Sequence, residues 1–189
     1  MSKGYLWFAQ NNSKTDYVDI SIKLAQSIKR TTRENKICVV TDEASKFQSE
    51  YVDVVKVLRK DDSADHDIKW ANEYKAFALT PFTHTIKLEA DMRWNHNTDW
   101  WWYYLWQQDL VFSVDCRDYR DNIVKDKTYR QLFVKNYLPN IYNGLMYFRK
   151  SKKAQRFFEI AEHIVKNWQE VSSKMLKSCH DKYPSTDVV

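Results

Sequence analysis

The sequence predicts an α/β domain with a mostly parallel central sheet flanked by helices, and three observations carry that prediction. Residues 5–9 and Ile37–Thr41 are continuous apolar runs, the pattern of strands buried on both faces. Between them Tyr17, Ile20, Leu24 and Ile28 recur at helical spacing, with Asp16, Asp19, Lys23 and Arg30 on the opposite face. The alternation then continues towards the C-terminus, and strand, helix, strand in succession implies parallel pairing through right-handed crossovers.

A chain of 189 residues fits one domain, and 43% hydrophobic with 15% aromatic residues suffices for a packed core. With two glycines and neither GxGxxG nor GxxxxGK[ST], a Rossmann dinucleotide site and a P-loop are excluded. The net charge of +5 suits an anionic substrate or nucleic acid without requiring either. Cys38, Cys116 and Cys179 are widely separated and form no CxxC pair, as expected for reduced thiols in a cytoplasmic protein. No segment approaches ~20 apolar residues, so no membrane span is expected.

The first strand is broken by Gln10-Asn11-Asn12-Ser13, and the helix runs over residues 15–30. In a parallel sheet the turn from Ala9 through Asn11 to Ser13 is placed to touch a ribose or base. Ile37–Thr41 ends at Asp42, which either accepts from a ribose or base or caps the following turn. Residues 52–58 make a third strand, and 61–67 form an acidic loop. Residues 68–80 are expected to be helical with Trp70, Tyr74, Phe77 and Ala78 inward, stopped by Pro81. On it Lys75 is in reach of a diphosphate as a point charge, although an exposed helix lysine is the commoner outcome.

A short apolar run then ends in Glu89-Ala90-Asp91. Two carboxylates spaced by one residue at a strand end converge on one point, and such hard oxygen ligands suit Mg²⁺ or Mn²⁺ completed by substrate phosphates. Acid-x-acid alone is a weak signal, but open α/β sheets bind ligands at strand carboxyl ends. Beyond it, five of the eight tryptophans fall within residues 94–106, more rings than one face of a helix capped near Asn97 or Thr98 can bury. Rings left at the surface are able to stack on sugars or bases. Residues 109–114 and 141–148 are two more strands, the second carrying Gly144, whose missing side chain implies a close approach by backbone or ligand. Ser151 opens a helix in which Ala154, Phe157, Phe158, Ala161, Ile164, Val165 and Trp168 form one stripe, and a further helix spans 171–179. The sequence ends as a new capped helix would begin, which predicts that the domain continues past residue 189.

With these residues assembled, the chain resembles the nucleotide-sugar-dependent glycosyltransferases of GT-A fold, in particular short bacterial or phage-type members. Glu89-Ala90-Asp91 matches the family's DXD position with Glu in place of the first Asp. Asn143-Gly144, an apolar strand and Arg149-Lys150-Ser151 match its downstream block, and Val39-Val40-Thr41-Asp42 its nucleotide-binding half. The resemblance implies a single GT-A-like domain and a Mn²⁺ or Mg²⁺ ion on Glu89 and Asp91. It also implies a UDP-sugar donor contacted by Asn143 and Gly144, with Asp187 as the acceptor-activating carboxylate. The longer Glu arm lets Glu89 reach ribose or water while Asp91 alone holds the ion, and neither His163 nor His180 is a clear third ligand. Charge, aromatic content and phage analogy suit modified DNA as the acceptor, with protein, lipid-linked and polysaccharide acceptors left open. Two other classes compete: a metal-dependent nuclease or phosphodiesterase using Lys87 beside Glu89 and Asp91, and a nucleic-acid-binding module using the aromatic cluster without catalysis.

Overall fold

The computed structural model describes residues 2–64, 67–117, 120–123, 131–177, 179 and 183–184. Asp187 and His180, together with Asp65 and His66 of the acidic loop, lie outside the described residues. The strands are β1 (Lys3–Phe8), β2 (Ile37–Thr41), β3 (Val54–Val57), β4 (His84–Leu88), β5 (Leu110–Val114) and β6 (Ile141–Arg149), in the sheet order β3-β2-β1-β4-β6-β5. Strands β3, β2, β1 and β4 pair in parallel, while β6 runs against both β4 and β5 and is the one reversed strand. The expected α/β class with a mostly parallel sheet is the one found.

The all-apolar strands are explained by a core on each face of the sheet. Tyr5, Trp7 and Ala9 pack with Leu24, Ala25 and Ile28 of α1 (Tyr17–Thr31), whose first turn is capped by the Asp16 carboxylate accepting from Asp19 N. On the other face Leu6, Val40, Met146 and Phe148 meet Ala76 of α2 (Ala76–Leu79) and Ala154 and Phe158 of α5 (Lys152–Lys166). The Ser151 hydroxyl caps α5 by accepting from Ala154 N at 3.2 Å, as its position before the stripe predicts. Helix α3 (Trp101–Leu105) lies between β4 and β5, α4 (Gln131–Asn136) precedes β6, and α6 (Trp168–Met175) ends the helical order.

The expected helix over 68–80 is instead a 3₁₀ segment (Lys69–Lys75) leading into α2. Three residues per turn stack 69, 72 and 75 in one column, and all three grip the preceding loop. Lys69 Nζ donates to Ser63 O, Asn72 Nδ2 to Asp61 and Ser63, and Lys75 Nζ to Lys60 O. Trp70 consequently turns outward and is 44% exposed rather than inward. The aromatic cluster is divided. Trp94 and Trp102 are buried edge-on against Tyr5, whereas Trp100, Tyr103 and Tyr104 stand in solvent.

Asp53 ties three elements together: its carboxylate accepts from Lys29 of α1, from Lys36 and from the Ile37 amide that opens β2. Burial pushes its carboxyl up, but those hydrogen bonds and the Lys29 charge outweigh it and hold the pKa at about 2. A folded-state pKa below the unfolded value means the contribution is complete above pH ~4 and is lost as pH falls towards 2. Asp53→Asn is therefore expected to destabilise the protein by about 1 kcal/mol at pH 7, after solvent screening, and by much less at pH 2.5. Urea unfolding of both proteins at the two pH values checks this; an equal loss at both would refute it.

Candidate functional site

Parallel strands β2, β1 and β4 all end on one edge, and the order of the sheet reverses between β1 and β4. A cleft of about 300 Å³ opens at that switch point. Gln10 and Asn12 line it from the end of β1, Glu89 and Asp91 from the end of β4, and Asp67, Lys69, Trp70 and Glu73 from the segment between. The two acids do not continue the strand. Met92 N donates to Glu89 O at 3.3 Å, so Glu89 to Met92 form a turn, and it is this turn that brings both carboxylates to one cleft.

Gly144 stands against this turn. A Cβ built on it would lie 2.9 Å from Glu89 Oε2 and 3.1 Å from Met92 Cε, so the close approach expected at this glycine is made by the Glu89 side chain. The backbone comes near because β6 bulges: Phe112 of β5 faces Met146, yet the next residue, Ser113, faces Tyr142. Ser113 Oγ donates to Tyr142 O and Leu145 O across the gap.

Behind the cleft lies a buried polar network. Gln10 Nε2 donates to Asp42 Oδ2 at 2.9 Å and Asp61 Oδ2 at 3.1 Å, and Gln10 Oε1 accepts from Asn72 Nδ2 at 3.0 Å. Burial raises the Asp61 carboxyl, but hydrogen bonds from Ser63, Asn72 and Gln10 bring it below the usual carboxylate range. Asp42 is buried in this network and its other oxygen accepts from Ser45 N at 2.7 Å, which is the turn-capping arrangement. Asn11 Oδ1 accepts from Val18 N and its amide donates to Ser45 Oγ, so it secures the start of α1. Ala9 is fully buried, with its amide on Val40 O and its carbonyl accepting from Thr41 Oγ1.

The lysines differ most from expectation. Lys75 is drawn away from the acids onto Lys60 O, Asn72 Oδ1 and Asp62, and Lys69, its ammonium on Ser63 O, is the lysine among the described residues that line the cleft. Lys87, read as a helper beside Glu89 and Asp91, is 1% exposed and points into the layer of the 3₁₀ segment. Its Nζ donates to Glu73 Oε2 at 2.5 Å and to Asn143 O at 3.2 Å. Asn143 Nδ2 donates to the same Glu73 oxygen at 2.9 Å. Asn143, Glu73 and Lys87 line a separate cavity of about 410 Å³ under α5, and Glu73 and Trp70 are common to cleft and cavity. Glu73 and Asn72 carry no signal in the sequence, whereas Gln10 lies in the turn from Ala9 to Ser13 that is expected at the ligand.

Among the described residues no group of three or more His, Cys, Asp or Glu side chains is arranged to hold a metal ion. Two carboxylates at an open cleft do not fit a closed tetrahedral zinc site, but they fit Mg²⁺ or Mn²⁺, which keep waters and take phosphate oxygens. No described helix is long and apolar enough to cross a membrane.

No family model matches this sequence, and no curated protein matches it. In three dimensions it is similar to the galactosyltransferase LgtC, solved in complex with donor and acceptor sugar analogues, with a TM-score of 0.58 at 14% identity. The match covers 93% of this chain and 66% of that one, so this chain spans slightly less than two thirds of LgtC. At that identity the likeness is one of fold, and the fold is GT-A-like.

Lys87→Met is expected to cost about 3 kcal/mol, because it strands Glu73 in the layer Lys87 occupied. The double replacement Lys87→Met, Glu73→Leu should recover most of the loss. Denaturant unfolding of the two single variants and the double tests the coupling, and strictly additive losses would show that the pair is not coupled.

Proposed function

We propose that this protein is a glycosyltransferase that moves a sugar from a nucleotide diphosphate sugar, a UDP-sugar as first choice, to an acceptor. The observation that carries the reading is the cleft at the switch point of a GT-A-like sheet, with Glu89 and Asp91 turned into it together. Glu89 and Asp91 would hold Mn²⁺ or Mg²⁺, which when bound supplies Lewis-acid stabilisation of the departing diphosphate. Lys69 adds a positive charge from the facing wall. Tyr17 and Trp70 give the cleft ring faces for a base or sugar, and Asn12 gives it a polar end. Gln10, Asp42 and Asn72 join the ends of β1 and β2 to the 3₁₀ segment that forms one side of the cleft.

The nuclease reading loses its lysine, since Lys87 is buried and paired with Glu73. The aromatic module loses Trp94 and Trp102 to the core and keeps Trp100, Tyr103 and Tyr104. DNA as acceptor would show itself by an affinity that falls steeply with salt.

UDP, GDP or CDP with Mn²⁺ is expected to raise the melting temperature by roughly 5–10 °C at a hundredfold excess over Kd. This corresponds to about 2.7 kcal/mol of linkage at about 2–4 °C per kcal/mol. Neither metal nor nucleotide alone should do so, and Asp91→Ala should abolish the shift while leaving the unliganded melting temperature within about 2 °C. An undiminished shift in Asp91→Ala would place the nucleotide elsewhere.

Gly144→Ala gives a separate check on Glu89. Its Cβ would push the Glu89 carboxylate aside, and a flexible side chain yields more cheaply than backbone. The expected result is a small change in folding stability, within about 1 kcal/mol, with roughly tenfold weaker binding of the Mn²⁺–nucleotide complex by calorimetry. Unchanged affinity would mean that the position of Glu89 does not matter to the ion.

A further inference from the structure

We infer that the 410 Å³ cavity under α5 is a saccharide-binding site for a neutral sugar ring, adjoining the acid cleft through Trp70 and Glu73. Its size falls in the range of small-molecule sites, and Trp70, Tyr74, Phe157 and Phe158 bring aromatic rings to its walls. Its floor is the trio of buried Lys87 and partly buried Glu73 and Asn143.

Charge selects the ligand. Each charged residue lining the cavity has a counter-ion: Lys87 pairs with Glu73, Asp62 with Lys75 and, at 3.9 Å, with Lys60, and Lys166 with Glu162. With these charges paired, the cavity offers little net field to an anion, in contrast to a phosphate site. A purely apolar ligand fails for the opposite reason, since it would cover the polar floor without hydrogen-bonding to it. What satisfies both surfaces is a neutral molecule with an apolar face and a rim of hydroxyls, which is the make-up of a pyranose. Its C–H face would lie on the aromatic walls. A hydroxyl would donate to Glu73, whose bonds to Lys87 and Asn143 both fall on Oε2 and leave Oε1 for a ligand.

The shared Glu73 and Trp70 put such a ring next to the cleft, where it would serve as the acceptor. The binding site stands on the cavity itself, and only the acceptor role rests on the sugar-transfer reading.

The test is an amide NMR titration of the full chain with methyl β-D-galactopyranoside and methyl α-D-glucopyranoside, paired with Mn²⁺–UDP binding by calorimetry. Saccharide affinities of ~1–10 mM are expected, with shifts concentrated at residues 71–74 and 157–165. Val165→Phe fills the cavity from α5 without touching the cleft, and should weaken saccharide binding at least tenfold while leaving the melting temperature and Mn²⁺–UDP affinity unchanged. As a second blocking variant, Ala161→Leu keeps the result readable should Val165→Phe unfold. Shifts confined to the cleft around Gln10, Glu89 and Asp91, or none at tens of millimolar, would overturn the cavity assignment. Cavity shifts without any nucleotide binding would keep the saccharide site and remove the acceptor role.

Discussion

The buried ammonium of Lys87 is the constraint on which the rest of the site depends. A lysine near the carboxyl end of a wholly buried central strand has no water to solvate it, so an anion must come to it. Glu73 does, and the 3₁₀ segment is thereby held across the carboxyl edge of the sheet. Asn143 closes the arrangement from β6, with its carbonyl accepting from Lys87 and its amide donating to Glu73. For that carbonyl to turn inwards β6 must bulge, and the bulge brings the next residue against Glu89, where only glycine leaves room. One buried charge thus links the glycine, the acid turn and the wall between cleft and cavity.

A second polar assembly fixes the opposite wall. Gln10 and Asn72 are both fully or almost fully buried, and each uses its amide as donor and acceptor within the same cluster. Such a network is worth its desolvation only when every member is satisfied, which makes it a specific lock rather than general adhesion. It fastens the loop 60–63 and the 3₁₀ segment to the end of β1, and Gln10 of this network lines the cleft opposite the acids. The 3₁₀ winding serves both assemblies at once: the column of 69, 72 and 75 faces the loop, while Glu73 meets Lys87 of β4.

The aromatic run shows how far composition alone carries. Its rings were too many for one face, and the structure indeed divides them, with Trp94 and Trp102 flanking Tyr5 in the core. Which rings stay outside follows from the phase of α3, a helix of only five residues, and from the turn in which Asn97 accepts from Asp99 N. Neither phase nor turn can be read from a run that is aromatic almost throughout.

What the sequence by itself determined is local. Continuous apolar runs marked β1 and β2 because strands buried on both faces have no polar side to hide, and the stripes of α1 and α5, with Ser151 opening α5, marked the two longest helices. Glu89 and Asp91 at the end of a buried strand were legible for the same reason. The tertiary structure alone decided the reversal of β6, the 3₁₀ winding, the exchange of Lys75 for Lys69 at the cleft, and the burial of Lys87. Each of these hangs on a partner distant in sequence, as Asn143 is 70 positions from Glu73 and Asn72 is 62 from Gln10. A lysine next to two acids looks the same in sequence whether it faces water or the core; only the carboxylate waiting across the sheet decides between them.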